Sequence, residues 1–306
     1  MKLSQYNLVI TKIFTSFLVL VCCSGVTKAD QGVLVVQSLS VAPYEEALAG
    51  FKSVCDAEIT KVVLSGQEKI NPSQIIQSNK PKLILAIGMD ALVKVKEIED
   101  IPIIYMMVLN PQAIPFGEKN ISGISMTLSP EKQVTTLLEV LPAIKRIGTL
   151  YNPDRTGNFI KGAVNAANNV GISLVTEKVQ STKGVPSALK NIQNKIDAFW
   201  MIPDITVYSP ETIDFLLLFL LENQKPIISF SEKYVESGAL MSISVDPFDI
   251  GNQAGEMAKA ILSNGDKRDV QRIDARKAVI LINLKIAKKL GITIDEKVLA
   301  KAKILK

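Results

Sequence analysis

A chain of 306 residues without a single histidine has a short list of chemistries open to it. No Ser-His-Asp or Cys-His relay, no HExxH zinc helix and no imidazole acid or base can be built, which leaves carboxylate, Lys, Tyr or Ser/Lys chemistry for an enzyme. Carboxylates such as Asp204 and Asp246 could do acid/base work, but they stand on separate loops and form no motif. The Walker GxxxxGK[ST], a GxGxxG after a strand and the GxSxG nucleophile elbow are all missing, so the sequence implies no cofactor and no metal. What remains is a recurrent placement of short polar residues just after apolar runs: "SLSVAPY" (38–44), "GMDA" (88–91), "LNPQ" (109–112), "YNPDRTG" (151–157), "PDITVYSP" (203–210), "FSEKY" (230–234) and "VDPFD" (245–249). In open parallel sheets ligands sit beyond the carboxyl ends of the strands, where backbone N–H groups of the following helices face outward.

Each of these residues also has a plain structural reading. Asp90 and Ser209 suit helix caps, and Asn110, Asn152 and Asp246 each precede a proline and suit turns. Ser231 with Glu232 could open a first helical turn, and Tyr151, Trp200 and Phe230 suit the core. The functional reading rests on the recurrence of the pattern, not on any one residue.

The elements that would position these loops alternate along the chain. Apolar, β-branched-rich runs at 33–37, 59–64, 82–88, 102–109, 120–126, 146–152, 172–178, 197–202, 226–230, 239–245 and 278–283 predict strands covered on both faces. Between them amphipathic stretches at 44–55, 72–79, 90–98, 130–140, 157–169, 184–194, 210–223 and 249–263 predict helices, and such alternation implies parallel sheets flanked by helices. The run "FLLLFLL" (215–221) is too short to span a bilayer, which takes about 20 apolar residues. Ser209, Pro210 and Glu211 supply a cap, an N1 proline and a first-turn acid, so it reads as a crossover helix buried nearly all round.

Residues 1–29 read as a targeting segment: Lys2 and Lys12, an apolar run from Ile13 to Val21 extended by Cys22 and Cys23, and small residues Thr27 and Ala29 ahead of a cut before Asp30. Their removal takes Lys2, Lys12 and Lys28 from the 35 basic residues and none of the 30 acids, leaving 32 against 30 and a net charge of +2. A balance this even gives no reason to expect nucleic acid. The processed chain keeps Cys55 alone and can form no internal disulfide. Acylation of Cys22 or Cys23 as a lipoprotein is the alternative, set against by Val21 and Cys22 where a small residue normally precedes such a cysteine.

From about residue 80 onward the chain resembles the substrate-binding proteins of ABC transporters with the periplasmic-binding-protein type I fold, in the branch that includes aromatic amino-acid binders. The resemblance is carried by ordered segments: "IPIIYMMVLNPQ", "KNISGISM", "LLEVLPAIKRIGTLYNP", "NVGISLV", "IDAFWMIPD", "KPIISFSEKYVESGALMSISVDPFDIGNQAGEMAKAIL" and "LINLKIAKKLGITI". It implies an α/β fold of two Rossmann-like lobes with parallel sheets joined by a three-crossing hinge: residues 30–125 with about 247–277 in one lobe, 126–246 with about 278–306 in the other. It also implies a monomer that closes on a small molecule between the lobes and is read by an ABC permease, with no nucleic-acid partner. By position, the family's cleft loops fall on Ser38, Ser40, Gly88, Met89, Asp90, Asn110, Asn152, Asp204 to Thr206, Ser231 and Asp246. For an amino-acid-like ligand, backbone N–H groups with Ser38 or Ser231 would receive a carboxylate, and Asp204 or Asp246 an ammonium. The sequence departs from the family at "LNP", where Asp-Pro is common, and at "GMD", where Gly-Thr is common. Met89, Met106 and Met107 offer apolar surface in their place.

The expectation is therefore an exported solute-binding protein, not an enzyme, located in the periplasm. Two alternatives stay open: a sensory module docking on a receptor or kinase, and a carboxylate-dependent periplasmic enzyme.

Overall fold

The computed structural model describes residues 32–65, 72–109, 111, 120–264 and 272–306. The targeting segment and Asn110 lie outside the described residues. The chain begins with β1 (Val33–Gln37), α1 (Ala42–Val54), β2 (Ile59–Val63), α2 (Pro72–Asn79), β3 (Leu83–Ile87), α3 (Met89–Val95), β4 (Ile103–Val108) and β5 (Ile121–Ser125). It continues with α4 (Pro130–Val140), β6 (Arg146–Tyr151), α5 (Pro153–Asn169), β7 (Ser173–Lys178), α6 (Val185–Ile192), β8 (Ala198–Trp200), α7 (Pro210–Glu222), β9 (Ile227–Ser229), α8 (Glu232–Glu236) and β10 (Met241–Val245). The last stretch holds α9 (Pro247–Asn264), β11 (Arg272–Asp274), β12 (Ala278–Asn283), α10 (Leu284–Lys289), α11 (Glu296–Leu299) and β13 (Lys303–Leu305).

These strands form two sheets. The first, in the order β11-β5-β4-β3-β1-β2, is parallel throughout, and its inner strands β1, β3 and β4 are buried at every position. Their unbroken apolar runs are what a strand with a helix on each face requires. The second sheet, in the order β13-β12-β10-β9-β8-β6-β7, is parallel except where β12 turns back against β10. Edge strand β2 exposes Thr60 and Lys61, with Lys61 paired to Glu45, so its free backbone edge is guarded by charge.

Parallel pairing sends the strand-to-helix loops of each sheet out by the same edge, except the one after the antiparallel β12. The chain also changes sheets at those edges, in three places: after β5 on the way to α4, at Asp246 between β10 and α9, and over Ala275–Lys277 between β11 and β12. The carboxyl edges of both sheets therefore border one hinge. This is the α/β arrangement expected from the resemblance, two parallel-dominated sheets joined by three crossings.

Helix α9 follows a strand of the second sheet but packs on α1, beside the first. Three glycines let the two backbones touch. A Cβ on Gly251 would stand 2.7 Å from the Phe51 nitrogen and 2.8 Å from the Ala47 carbonyl carbon, and one on Gly255 2.8 Å from the Phe51 oxygen. From the other side, a Cβ on Gly50 would stand 2.9 Å from the Phe248 carbonyl carbon.

Contrary to the expectation from its composition, helix α7 is buried on one face only: Leu216, Leu217 and Leu220 are buried, whereas Phe215 is 38% and Leu218 59% exposed. A 13-residue helix laid on one face of a sheet has one side turned to the sheet, and in α7 the opposite side is apolar as well. Among the described residues no helix is long and apolar enough to cross a membrane.

Candidate ligand-binding site

On the first sheet, the loop after β1 is fastened from below. Gln37 is fully buried, and its amide donates to the Leu39 carbonyl at 2.6 Å and to Glu45 at 2.9 Å. Ser38 is buried too, and its hydroxyl accepts a hydrogen bond from the Ala91 backbone at 2.9 Å, tying the β1 loop to the start of α3. Gly88 lies where these parts converge, with φ at +90°, and a Cβ there would stand 2.7 Å from both the Ser38 and the Tyr44 hydroxyl oxygens. Only glycine suits such a position. Burial, and then the nearby charge of Asp90, push the Tyr44 phenol above its ordinary range. Asp90 is exposed and Met89 half-exposed in the first turn of α3, and Ser40, exposed, lies 3.3 Å from Glu45. At the end of β4, Met107 takes φ of +56° where the pairing with β5 slips, and this bulge directs the chain into the loop that begins at Leu109.

On the second sheet a buried carboxylate joins two loops. Asp204, 5% exposed, accepts from the Asn152 backbone at 2.8 Å and the Thr156 hydroxyl at 2.7 Å on one oxygen, and from the Thr206 backbone at 2.9 Å on the other. The Asn152 side chain caps α5 by accepting from Asp154 at 2.9 Å and donates to the Thr206 hydroxyl at 3.3 Å. A carboxylate that accepts from three donors on two loops fixes both loops at once. Farther along the edge, Phe230 meets Tyr208 and Tyr234 edge-on, with centroids 5.8 Å and 5.3 Å apart, and sets the direction in which the chain enters Ser231 and α8.

Asp246 lies at the hinge itself. One oxygen accepts from the Asp249 backbone at 3.1 Å and the other is 2.6 Å from the Lys277 ammonium. Burial alone would raise this carboxyl, but hydrogen bonds from Lys277 and from the Asp249 and Phe248 backbone hold it below the ordinary range.

The loops thus separate the sequence-predicted residues into groups. Ser38, Gly88, Met89 and Asp90 come together on the first sheet and Asn152, Asp204 and Thr206 on the second, with Ser231 farther along that edge, Ser40 exposed beside Glu45 and Asp246 at the hinge. Gln37, Tyr44, Thr156 and Lys277 are partners that the sequence reading did not single out; the spacing of Thr156, one helical turn after Asn152, was the one local signal. Four strongly exposed apolar residues also sit on these loops: Leu39, Val41, Leu109 and, at 71%, Ile205. Such an edge offers apolar contact and a few polar groups to a guest. Among the described residues no three His, Cys, Asp or Glu side chains gather as a metal site.

Known proteins share this architecture. Over 215 residues the chain is 28% identical to the tyrosine-binding protein of Clostridioides difficile (strain R20291), a match covering 67% of this chain and 62% of that relative's length. The ligand-free, open structure of a substrate binding protein with adhesive properties from Clostridium difficile superposes with a TM-score of 0.69 at 23% identity, covering 90% of this chain and 99% of the other. An ABC domain from Streptococcus pneumoniae in complex with L-Trp gives a TM-score of 0.55 at 24% identity, with 89% and 100% covered. Residues 57–306 match the family described as ABC transporter substrate binding protein, and this chain belongs to that family.

Proposed function

We propose that this chain is an exported, monomeric solute-binding protein that captures a small molecule between two lobes and hands it, chemically unchanged, to an ABC permease. The lobes comprise residues 30–125 with 247–277 and residues 126–246 with 278–306, and the protein works in the periplasm after losing residues 1–29. The observation that carries this reading is the arrangement of two carboxyl edges around one hinge, each lined with braced loops and rimmed by exposed apolar residues. Closure would bury Leu39, Val41, Leu109 and Ile205 on the guest, and a closed form sustained by contacts to both lobes is a population shift that needs no chemistry.

The ligand we infer is an amino acid with an apolar or aromatic side chain, in keeping with the tyrosine-binding relative. Asp90 is an exposed acid of the first edge and would receive the ammonium. Thr206 and Ser231 would meet the carboxylate from the second edge, with Asn152 and Asp204 holding Thr206 from behind.

The test is a thermal-shift series on the chain starting at Asp30, with L-tyrosine, L-tryptophan, L-phenylalanine, polar amino acids and sugars, followed by mass spectrometry of the released ligand. A ligand at 100 times its Kd stabilises by about 2.7 kcal/mol, or roughly 5–10 °C for a chain of this size. An apolar amino acid recovered intact is the expected result. No shift from any class, or recovery of a converted product, would overturn the proposal.

A further inference from the structure

The hinge contains a junction at which neighbouring residues are held by different bodies. On the first-sheet side, the Ala275 backbone donates to Thr127 at 3.1 Å and the Arg276 backbone to the Gln253 side chain at 3.1 Å. The Arg276 guanidinium grips Asp249 and Glu256 of α9 at 3.0–3.2 Å. On the second-sheet side, β10 and β12 are paired up to Val245 and Ala278, and the next residues out, Asp246 and Lys277, meet as an ion pair at 2.6 Å. In the first crossing, the Thr127 carbonyl is held by Ala275, and the Leu128 carbonyl by Gln133 of α4, a helix packed on β10 and β12. Asp246 has a foot on each side, one oxygen on α9 through the Asp249 backbone and the other on Lys277.

We propose that Asp246 and Lys277 are the positioning residues of closure: their pair holds the second and third crossings at a fixed mutual angle, and the lobes turn about the Thr127–Leu128, Asp246–Pro247 and Arg276–Lys277 bonds. Asp246 acts on the guest through the hinge rather than by touching it. The inference depends on the three-crossing fold and not on the identity of the ligand.

Spin labels at Lys94→Cys on α3 and Lys161→Cys on α5, both exposed positions, report the distance between the lobes without any ligand. Asp246→Asn and Lys277→Met should broaden and shift that distance distribution alike, the double variant should go no further than either single, and Lys277→Arg should restore the parent profile. Melting temperatures should scarcely move, because Lys277 is 61% exposed and the pair is weak as a source of stability. With L-tyrosine as the probe, both single variants should weaken binding equally, by about fivefold. Distance distributions that superimpose in every variant would overturn the inference. So would an Asp246→Asn loss of tyrosine binding far beyond that of Lys277→Met, the mark of a direct contact. If tyrosine does not bind at all, the ligand reading fails and the distances still decide the hinge.

Discussion

Replacing Gly251 by alanine adds one methyl group to the place where α9 and α1 come closest. That methyl would stand 2.8 Å from the Ala47 carbonyl carbon, closer still to its oxygen, and 2.7 Å from the Phe51 nitrogen. An ordinary carbon–carbon contact is about 3.5 Å, so the helices must part by roughly 0.7 Å at the least. All the atoms in the way are backbone, and no rotamer change relieves the clash. Overpacking of this kind costs about 1–3 kcal/mol and occasionally more, and the upper end applies because the same movement opens the contact of Gly50 with Phe248. Helix propensity returns up to about 1 kcal/mol on going from glycine to alanine. The net loss is therefore about 2 kcal/mol, a fall in Tm of roughly 4–8 °C. Calorimetry or circular dichroism measures it, with Gly157→Ala in α5 as the control, since a Cβ there meets nothing within 4 Å. Gly157→Ala should be neutral or slightly stabilising. If Gly251→Ala melts at the same temperature as that control, the glycine interlock is not what seats α9 on α1.

Three further outcomes follow from individual residues. Asp204→Asn replaces one acceptor oxygen by an NH2 donor facing groups that themselves donate, and should lower stability by about 1–3 kcal/mol, read as a Tm drop, with loss of ligand binding as the two loops loosen. On α7, Leu218→Lys should stay within about 0.5 kcal/mol of the parent in urea denaturation, whereas Leu216→Lys, on the opposite face and fully buried, should prevent stable folding. Partial desolvation, with a smaller contribution from Glu131, holds the carboxyl of Asp274, on an exposed edge strand, above its ordinary range despite a hydrogen bond from Ser125. A raised carboxyl opposes folding at neutral pH, so Asp274→Asn should raise Tm at pH 7. The gain should fade as the pH drops toward about 3.9, the value of a free aspartate; a gain that grows in acid would contradict the sign.

The long elements were readable because several signals agreed at each. Strand β1 and strand β12 match their apolar runs residue for residue, and α4 starts at Pro130 behind a Ser129 cap and ends at Val140 as its periodicity predicts. Helix α5 begins at Pro153, four residues before the predicted start, because Asn152 caps a first turn made of polar residues that carry no apolar period. Strands β11 and β13, three residues each, and helices α8, α10 and α11, four to six residues each, are too short for periodicity to register. They exist through tertiary pairing: β11 lies on β5, and β13 on β12. The exposed face of α7 departs from its composition for a related reason. Composition says how apolar a helix is, whereas its neighbours decide how much of it is covered.

The loops of the candidate site were legible as places and not as roles, and the reason is topological. Within Asn152 and Thr156, or Asp204 and Thr206, the local spacing is in the sequence, but the bond from Asp204 to the Asn152 backbone exists only because β8 lies beside β6, 52 residues along the chain. A polar residue at a strand end can face a guest or fasten the next loop, and one chain of letters carries the same signal for both. Ser38, Asn152 and Asp204 turn out to spend hydrogen-bonding capacity on the scaffold, while Asp90 and Ile205 remain exposed. This division has a consequence for binding. Loops already fastened lose little conformational freedom when a ligand arrives, so the entropic cost of capture falls on the hinge rather than on the site. Loosening Asp204 should then weaken a guest by disordering the loops that touch it, and loosening Asp246 by widening the angle between the lobes. The two effects fall on different observables, and a double variant of Asp204 and Asp246 should lose the sum of the two binding free energies, since the residues share no partner. A large coupling between them would mean that loop and hinge move as one element, against the separation argued from their hydrogen bonds.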